Sequence, residues 1–188
     1  MSKLKAAVFA SGAGSNFQAI IEARDLACEI VLLICDKQNA GVIEIAKKHQ
    51  ISTFVFNAKE FASKQAYEEK IISELRKKEV SWIFLAGYMR IVGSTLLQAF
   101  PGKIVNIHPS LLPNFPGKDA IAQAYQAGVN KTGVTVHYID EGIDTGPIIA
   151  QESVAVFSKD TEEALKKKIQ EVEHQLYPSV INQLLQTK

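Results

Sequence analysis

Cysteine is scarce in this chain of 188 residues: Cys28 and Cys35 are the two present, and they form no CxxC pair. A disulfide framework and a cysteine zinc site are therefore excluded as organising devices, and a reducing, cytoplasmic setting is expected. Long hydrophobic runs are missing too. The longest, such as IVLLIC, fall far short of the roughly 20 residues that a membrane helix needs. The apolar stretch after the basic start MSKLK is too short for a signal core and runs into a glycine turn. Neither sign of charge predominates, with 21 basic against 20 acidic residues. A net charge of +1 gives no footprint for nucleic acid or for an anionic membrane. The lysine groups Lys77-Lys78 and Lys166-Lys167-Lys168 sit beside acidic residues in helix-like segments and read as solvated faces. No G-x-S-x-G elbow occurs, which argues against a serine acyl-enzyme.

What is there is a regular alternation. Strand-like runs at 5–10, 29–36, 52–56, 81–87 and 103–108 alternate with helix-like segments at 15–24, 41–50, 61–79 and 94–100. Continuous apolar strands between amphipathic helices mean βαβ units and a parallel sheet buried on both faces. After residue 130 the rhythm changes: runs at 133–139 and 147–156 are joined by the acidic loop DEGIDTG. So short a connection suits an antiparallel pair. A last helix is expected over 161–186, with a kink at Tyr177-Pro178. No repeat or linker divides the chain. The expectation is an α/β fold: a single-domain, Rossmann-like open sheet, mostly parallel with an antiparallel C-terminal strand pair, and helices on both faces.

In such a sheet ligands bind beyond the carboxyl ends of the strands, and three of those ends carry unusual residues. The first is SGAGSN at 11–16. Gly12 and Gly14 allow a tight turn with free backbone N–H groups, and Ser15 and Asn16 suit the start of a helix. Phe17 stands where GxGxxG has its third glycine and no Walker lysine follows, so neither common nucleotide motif is present. A phosphate cradle and an ordinary βα turn both fit. The second is AGYMRIV at 86–92, a loop apolar enough to line a flat organic ligand or to join the core. The third is KIVNIHPSLLPNFPG at 103–117. Alternation puts Asn106 and His108 on one face, opposite Val105 and Ile107. Amide and imidazolium donors side by side can hold an oxyanion. Pro109, Pro113 and Pro116 stiffen the loop beyond them. An acid from Asp140, Glu141 or Asp144 near His108 would favour its charged form. A metal site of His108, His137 and Asp144 is the weaker alternative, because the spacing matches no zinc signature. The residues alone thus describe an α/β enzyme with a phosphate loop and an Asn/His/acid centre.

The stretches SGAGSN, LAGYMRI, NIHPSLLPNFPG, TVHYIDEGIDTGPII and EHQLYP, in that order, closely resemble the phosphoribosylglycinamide formyltransferase family of folate-dependent enzymes. The resemblance spans nearly the whole chain. It implies one formyltransferase domain over 1–188, an N-terminal part for the ribonucleotide phosphate and a folate and catalytic part at about 86–150. It implies transfer of the formyl group of 10-formyltetrahydrofolate, a co-substrate, to the amine of glycinamide ribonucleotide in purine biosynthesis. No metal and no covalent enzyme intermediate are implied, and a monomer or a homodimer fits. By motif, Asn106, His108 and Asp144 are catalytic. Gly14, Ser15, Asn16, Gln170 and Glu173 hold the ribonucleotide. Lys64, the loop Met89, Arg90, Ile91 and Val92, Asn106, and the wall Asp140, Glu141, Gly142, Ile143 and Asp144 meet the folate. Ala13 departs from the family, many of whose members have a polar residue there. Two alternatives stand beside this reading: a deformylase or tRNA-formyltransferase-like enzyme, and a non-catalytic sugar-phosphate or folate binder.

Overall fold

The structure is a computed structural model that describes residues 3–186. Its elements in chain order are β1 (Leu4–Ala10), α1 (Ser15–Ile21), β2 (Cys28–Cys35), α2 (Gly41–Lys48), β3 (Ser52–Val55), a 3₁₀ turn (Ala58–Glu60), α3 (Lys64–Lys77), β4 (Trp82–Leu85), α4 (Ser94–Ala99), β5 (Ile104–His108), α5 (Ala120–Gln126), β6 (Lys131–Tyr138), β7 (Ile148–Ala155) and α6 (Glu162–Gln186). One seven-stranded sheet has the order β3-β2-β1-β4-β5-β6-β7. β3 through β5 in that order pair in parallel; β6 is antiparallel to β5, and β7 is antiparallel to β6. The antiparallel β6–β7 pair is as the short acidic loop requires. The chain also reverses between β5 and β6, through the 109–130 connection and α5, a helix whose short Ala-rich sequence gives little periodic signal.

Strand alternation feeds two cores. Val8, Phe84, Val105 and Ile107 pack on one side of the sheet with Phe17, Ile20, Tyr177 and Ile181 from helices. Phe9, Ile34, Ile83 and Ile104 pack on the other with Ile71, Leu75 and Leu96. Each such fully buried side chain is worth about 1.5–3 kcal/mol.

Local chemistry sets the helix starts. α3 begins at Lys64 rather than at 61 because the Ser63 hydroxyl accepts the Ala66 N–H at 3.1 Å. Thr161 caps α6 in the same way, accepting from Ala164 N–H at 3.0 Å ahead of Glu162 and Glu163. α6 is continuous through Pro178. Buried Glu68 of α3 accepts from Gly93 N–H at 2.6 Å and Leu96 N–H at 3.0 Å, capping α4 from a neighbouring helix. That bond also ties down the end of the 87–93 loop. Buried Tyr177 of α6 lies 2.8 Å from the Leu85 carbonyl and 3.1 Å from that of Val105. Its hydroxyl thus satisfies the carbonyl that ends β4 and one inside the neighbouring β5, joining α6 to both strands.

Candidate active site

A cleft of about 720 Å³ opens beyond the carboxyl ends of β4 and β5. Asn106, His108 and Asp144 line it, together with the 87–92 loop, residues 117–122 at the start of α5, and Asn16 and Glu173. Its mouth carries Met89, Ile91 and Ile143, exposed by 59%, 54% and 56%. Large apolar side chains that stay open to solvent around one cleft are suited to a flat, partly apolar ligand.

β5 delivers the two polar side chains as alternation requires. His108 is buried, and its Nε2 lies 2.8 Å from the Phe115 carbonyl. A carbonyl only accepts, so Nε2 carries a proton and donates. Nδ1 lies 3.5 Å from Asp144 Oδ2. The same Asp144 oxygen accepts the Gly117 N–H at 2.6 Å. Asp144 adopts φ 54°, a left-handed conformation that Asp tolerates better than most residues. The ladder between β5 and β6 sets Asn106 opposite His137, and Asn106 Nδ2 approaches His137 Nε2 at 3.3 Å. His137 is fully buried, its Nδ1 lies 2.9 Å from the Tyr138 carbonyl, and its Nε2 lies 3.7 Å from Asp144 Oδ1. Burial pushes the His137 pKa down, the Tyr138 carbonyl and Asp144 opposing it.

The rim beyond β5 is held by polar bonds as well as prolines. Thr135 on β6 donates to the Ser110 carbonyl at 2.7 Å and accepts from Leu112 N–H at 3.1 Å. The Gln151 amide reaches both Thr135 Oγ1 and the Leu112 carbonyl at 2.9 Å. Ser110 donates to the Asn114 carbonyl at 2.6 Å, and the Leu112–Pro113 bond is cis. Phe115, whose carbonyl faces His108, is thereby held in place.

The glycine turn lies beside the cleft and reaches it through Asn16. Gly14 has φ 87°, and a Cβ there would lie 2.7 Å from Val42 Cγ2, so both conformation and the approach of α1 to α2 require glycine. Ser11 links this turn to the 87–92 loop: its N–H donates to the Gly87 carbonyl at 3.1 Å and its hydroxyl accepts from Met89 N–H at 2.9 Å. The hydroxyl in turn donates to Asp36 at 2.5 Å. Asp36 also pairs with Arg90 Nε at 2.8 Å, and the Arg90 guanidinium lies over the Tyr67 ring. Glu173 and Asn16 both line the cleft, and the Asn16 side chain favours the charged form of the Glu173 carboxyl. Burial pushes the Glu173 pKa up to about 7, with the Asn16 side chain opposing.

Asn16, Met89, Arg90, Ile91, Val92, Asn106, His108, Asp140, Gly142, Ile143, Asp144 and Glu173 therefore share one cleft. The lining does not include Gly14, Ser15, Lys64, Glu141 or Gln170. Gly14 and Ser15 stand directly before Asn16 in the turn. Lys64 starts α3 with its stem against Gly93, next to the 89–92 loop. Gln170 is half-buried on α6 one turn before Glu173, and Glu141 is exposed. The expected meeting of an acid with His108 falls to Asp144; Asp140 instead caps its own loop, accepting from Gly142 N–H at 2.9 Å and Thr145 at 2.7 Å. Among the described residues no group of three or more His, Cys, Asp or Glu is arranged to hold a metal ion. Sequence reasoning missed Thr135, Gln151 and Tyr177, and weighed His137 as a metal ligand alone. Their contacts depend on the β5–β6–β7 register and on how α6 packs, which local pattern does not reveal. A second hollow, of about 690 Å³, lies between Ser11–Ala13 and Asp36–Gly41 and holds none of the three catalytic candidates.

Comparison with known proteins bears directly on this arrangement. Residues 4–181 match the family described as formyl transferase. The chain is 54% identical to phosphoribosylglycinamide formyltransferase of Bacillus subtilis, across 96% of this chain and 94% of that protein. It is 39% identical to a segment of the trifunctional purine biosynthetic protein adenosine-3 of Drosophila melanogaster, across 96% of this chain and 14% of that one. Among solved structures, glycinamide ribonucleotide transformylase 1 of Geobacillus kaustophilus superposes with a TM-score of 0.95 at 56% identity, covering 97% of this chain and 99% of that one. Phosphoribosylglycinamide formyltransferase of Streptococcus pneumoniae gives 0.92 at 44% identity, covering 98% and 99%.

Proposed function

The chain belongs to the formyl transferase family, and on that premise we propose that it moves the formyl group of 10-formyltetrahydrofolate to the amine of glycinamide ribonucleotide, a step of purine biosynthesis. The observation that carries this reading is the convergence of Asn106, His108 and Asp144 in one cleft that also reaches Asn16 and Glu173. The whole chain serves as one formyltransferase domain. The N-terminal turn at 14–16, with Gln170 and Glu173, takes the ribonucleotide, and residues about 86–150 supply the folate wall and the catalytic groups. We take it to work in the cytoplasm on these two small molecules, as a monomer or a homodimer, with no part for nucleic acid, membrane or metal. Its two cysteines are free and buried, which suits a reducing compartment.

In the reaction the substrate amine attacks the formyl carbon. A tetrahedral carbon with an oxyanion forms. The bond to N10 then breaks, the amine loses a proton and N10 gains one. Asn106 Nδ2 and His108 are the oxyanion donors, each such donor being worth about 2.7–4 kcal/mol. His108 Nε2–H donates to the Phe115 carbonyl in the structure, so donation to the oxyanion exchanges one acceptor for another. Asp144, 3.5 Å from Nδ1, supports the imidazole when it carries a proton on both nitrogens and is placed to pass protons through water. The Arg90 guanidinium is held by Asp36, so the 89–92 loop offers the folate ring its backbone and the Met89 and Ile91 side chains. Lys64 beside that loop can meet the anionic folate tail. Glu173, when ionised, accepts from ribose hydroxyls.

The test is turnover of purified protein with 10-formyltetrahydrofolate, with and without glycinamide ribonucleotide. Tetrahydrofolate released at the same rate without the ribonucleotide identifies a deformylase. No turnover in either mixture removes the reading.

A further inference from the structure

We infer that His137 is a positioning residue: as the neutral Nδ1–H tautomer it accepts an Asn106 N–H on Nε2 and so fixes which edge of the Asn106 amide faces the formyl group. The inference rests on the formyl-transfer reading above. It follows from donor and acceptor bookkeeping in a closed pocket. His137 Nδ1 lies 2.9 Å from the Tyr138 carbonyl, which can only accept, so the ring proton is on Nδ1. A neutral ring then has a lone pair on Nε2. The group 3.3 Å from that lone pair is the NH₂ of Asn106, a donor. One N–H goes to His137, and the second N–H of the same group remains for the cleft that Asn106 lines. Were the amide turned over, its carbonyl would face a lone pair and an acceptor would face the developing oxyanion.

The surroundings favour this tautomer. His137 is fully buried on β6, and burial lowers its pKa. The ionisable groups that act on it are Asp144 and Asp140 of the following loop and His108 of β5. The aspartates favour protonation and His108 opposes it. Asp144 Oδ1 is 3.7 Å from Nε2, too far for a hydrogen bond, whereas the β5–β6 ladder holds Asn106 directly opposite. A proton on Nε2 would set N–H against N–H. Asn106 would then have to rotate, and the oxyanion donor would be lost.

The test is a double-mutant cycle on the whole protein. His137→Gln keeps an acceptor at the reach of Nε2; His137→Asn keeps the shorter reach to Tyr138 and removes that acceptor. We expect His137→Asn to lower kcat by about 10- to 100-fold with both KM values within about threefold, and His137→Gln to stay within about fivefold of the parent. In an Asn106→Ala background, His137→Asn should cost less than about threefold further, because the residue it positions is gone. Equal losses for the two variants, or the same loss in both backgrounds, would overturn the inference. If either variant fails to fold, ¹⁵N NMR of the unaltered protein decides: a protonated Nδ1 with a bare Nε2 near neutral pH supports it, and an Nε2–H tautomer or an imidazolium overturns it. An unaltered protein that transfers formyl groups but gives an additive cycle refutes this inference alone. One that transfers none refutes the functional reading.

Discussion

Replacing Glu173 by Gln should make the protein more stable and a poorer enzyme, with the gain in stability confined to a defined pH window. Glu173 is 7% exposed and its carboxyl is pushed from 4.5 to about 7, chiefly by burial. A folded-state pKa above the unfolded one means that ionisation opposes folding. The folded and unfolded chains are both protonated there below about pH 4.5, so the penalty is absent. It grows as pH rises from 4.5 toward 7 and is complete above that. A displacement of this size corresponds to about 3 kcal/mol, an upper figure since water entering the cleft relieves part of it. Glutamine keeps the shape and never ionises. Chemical denaturation of both proteins at about pH 4.5 and about pH 8.5 should show little difference at the lower value and a gain of about 1–3 kcal/mol for Glu173→Gln at the higher. The corresponding rise in Tm is about 2–4 °C per kcal/mol for a chain of this size. The KM for glycinamide ribonucleotide should rise, because an amide is a weaker acceptor for ribose hydroxyls than a carboxylate. A stability difference that does not vary with pH, or a variant less stable at the higher pH, would show that ionising Glu173 does not oppose folding.

Further substitutions probe other links. His108→Ala should lower kcat by about 100-fold or more with small changes in KM, read from steady-state kinetics; near-full kcat at neutral pH would remove His108 from the chemistry. Tyr177→Phe removes the donor shared by the Leu85 and Val105 carbonyls and should cost about 1–3 kcal/mol in denaturant unfolding, with kcat lowered less than in His108→Ala. Gly14→Ala forces a Cβ against Val42 at φ 87° and should destabilise by about 1–3 kcal/mol while weakening ribonucleotide binding, measured by calorimetry.

Much of this arrangement was legible along the chain, and particular residues show where legibility stopped. Val105 and Ile107 alternate with Asn106 and His108, so the polar pair's common face followed from period two alone. The sheet's ligand end followed from βαβ order. Asp144 was one of three acids in a short loop, and its selection came from family resemblance; the geometry then set its Oδ2 3.5 Å from His108 Nδ1. His137 looked like an isolated mid-strand histidine because its meaning lies in the β5–β6 register, a contact across 31 residues. Arg90 reads along the chain as a ligand contact, yet its guanidinium pairs with Asp36 from a separate loop, and Asp36 in turn accepts from Ser11. The helix at 120–126 was hidden by weak periodicity in an alanine-rich segment that is stabilised by packing on α6.

If the Asn106, His108 and Asp144 cleft passes a formyl group directly between two small molecules, a single turnover should show it. The most direct measurement follows ¹³C-labelled formyl from 10-formyltetrahydrofolate during a single turnover with the protein in excess. The label should appear on the amine of glycinamide ribonucleotide, one for each tetrahydrofolate formed, and Asp144→Asn should slow this step. Label recovered as free formate, or transfer that proceeds unchanged in Asp144→Asn, would contradict it.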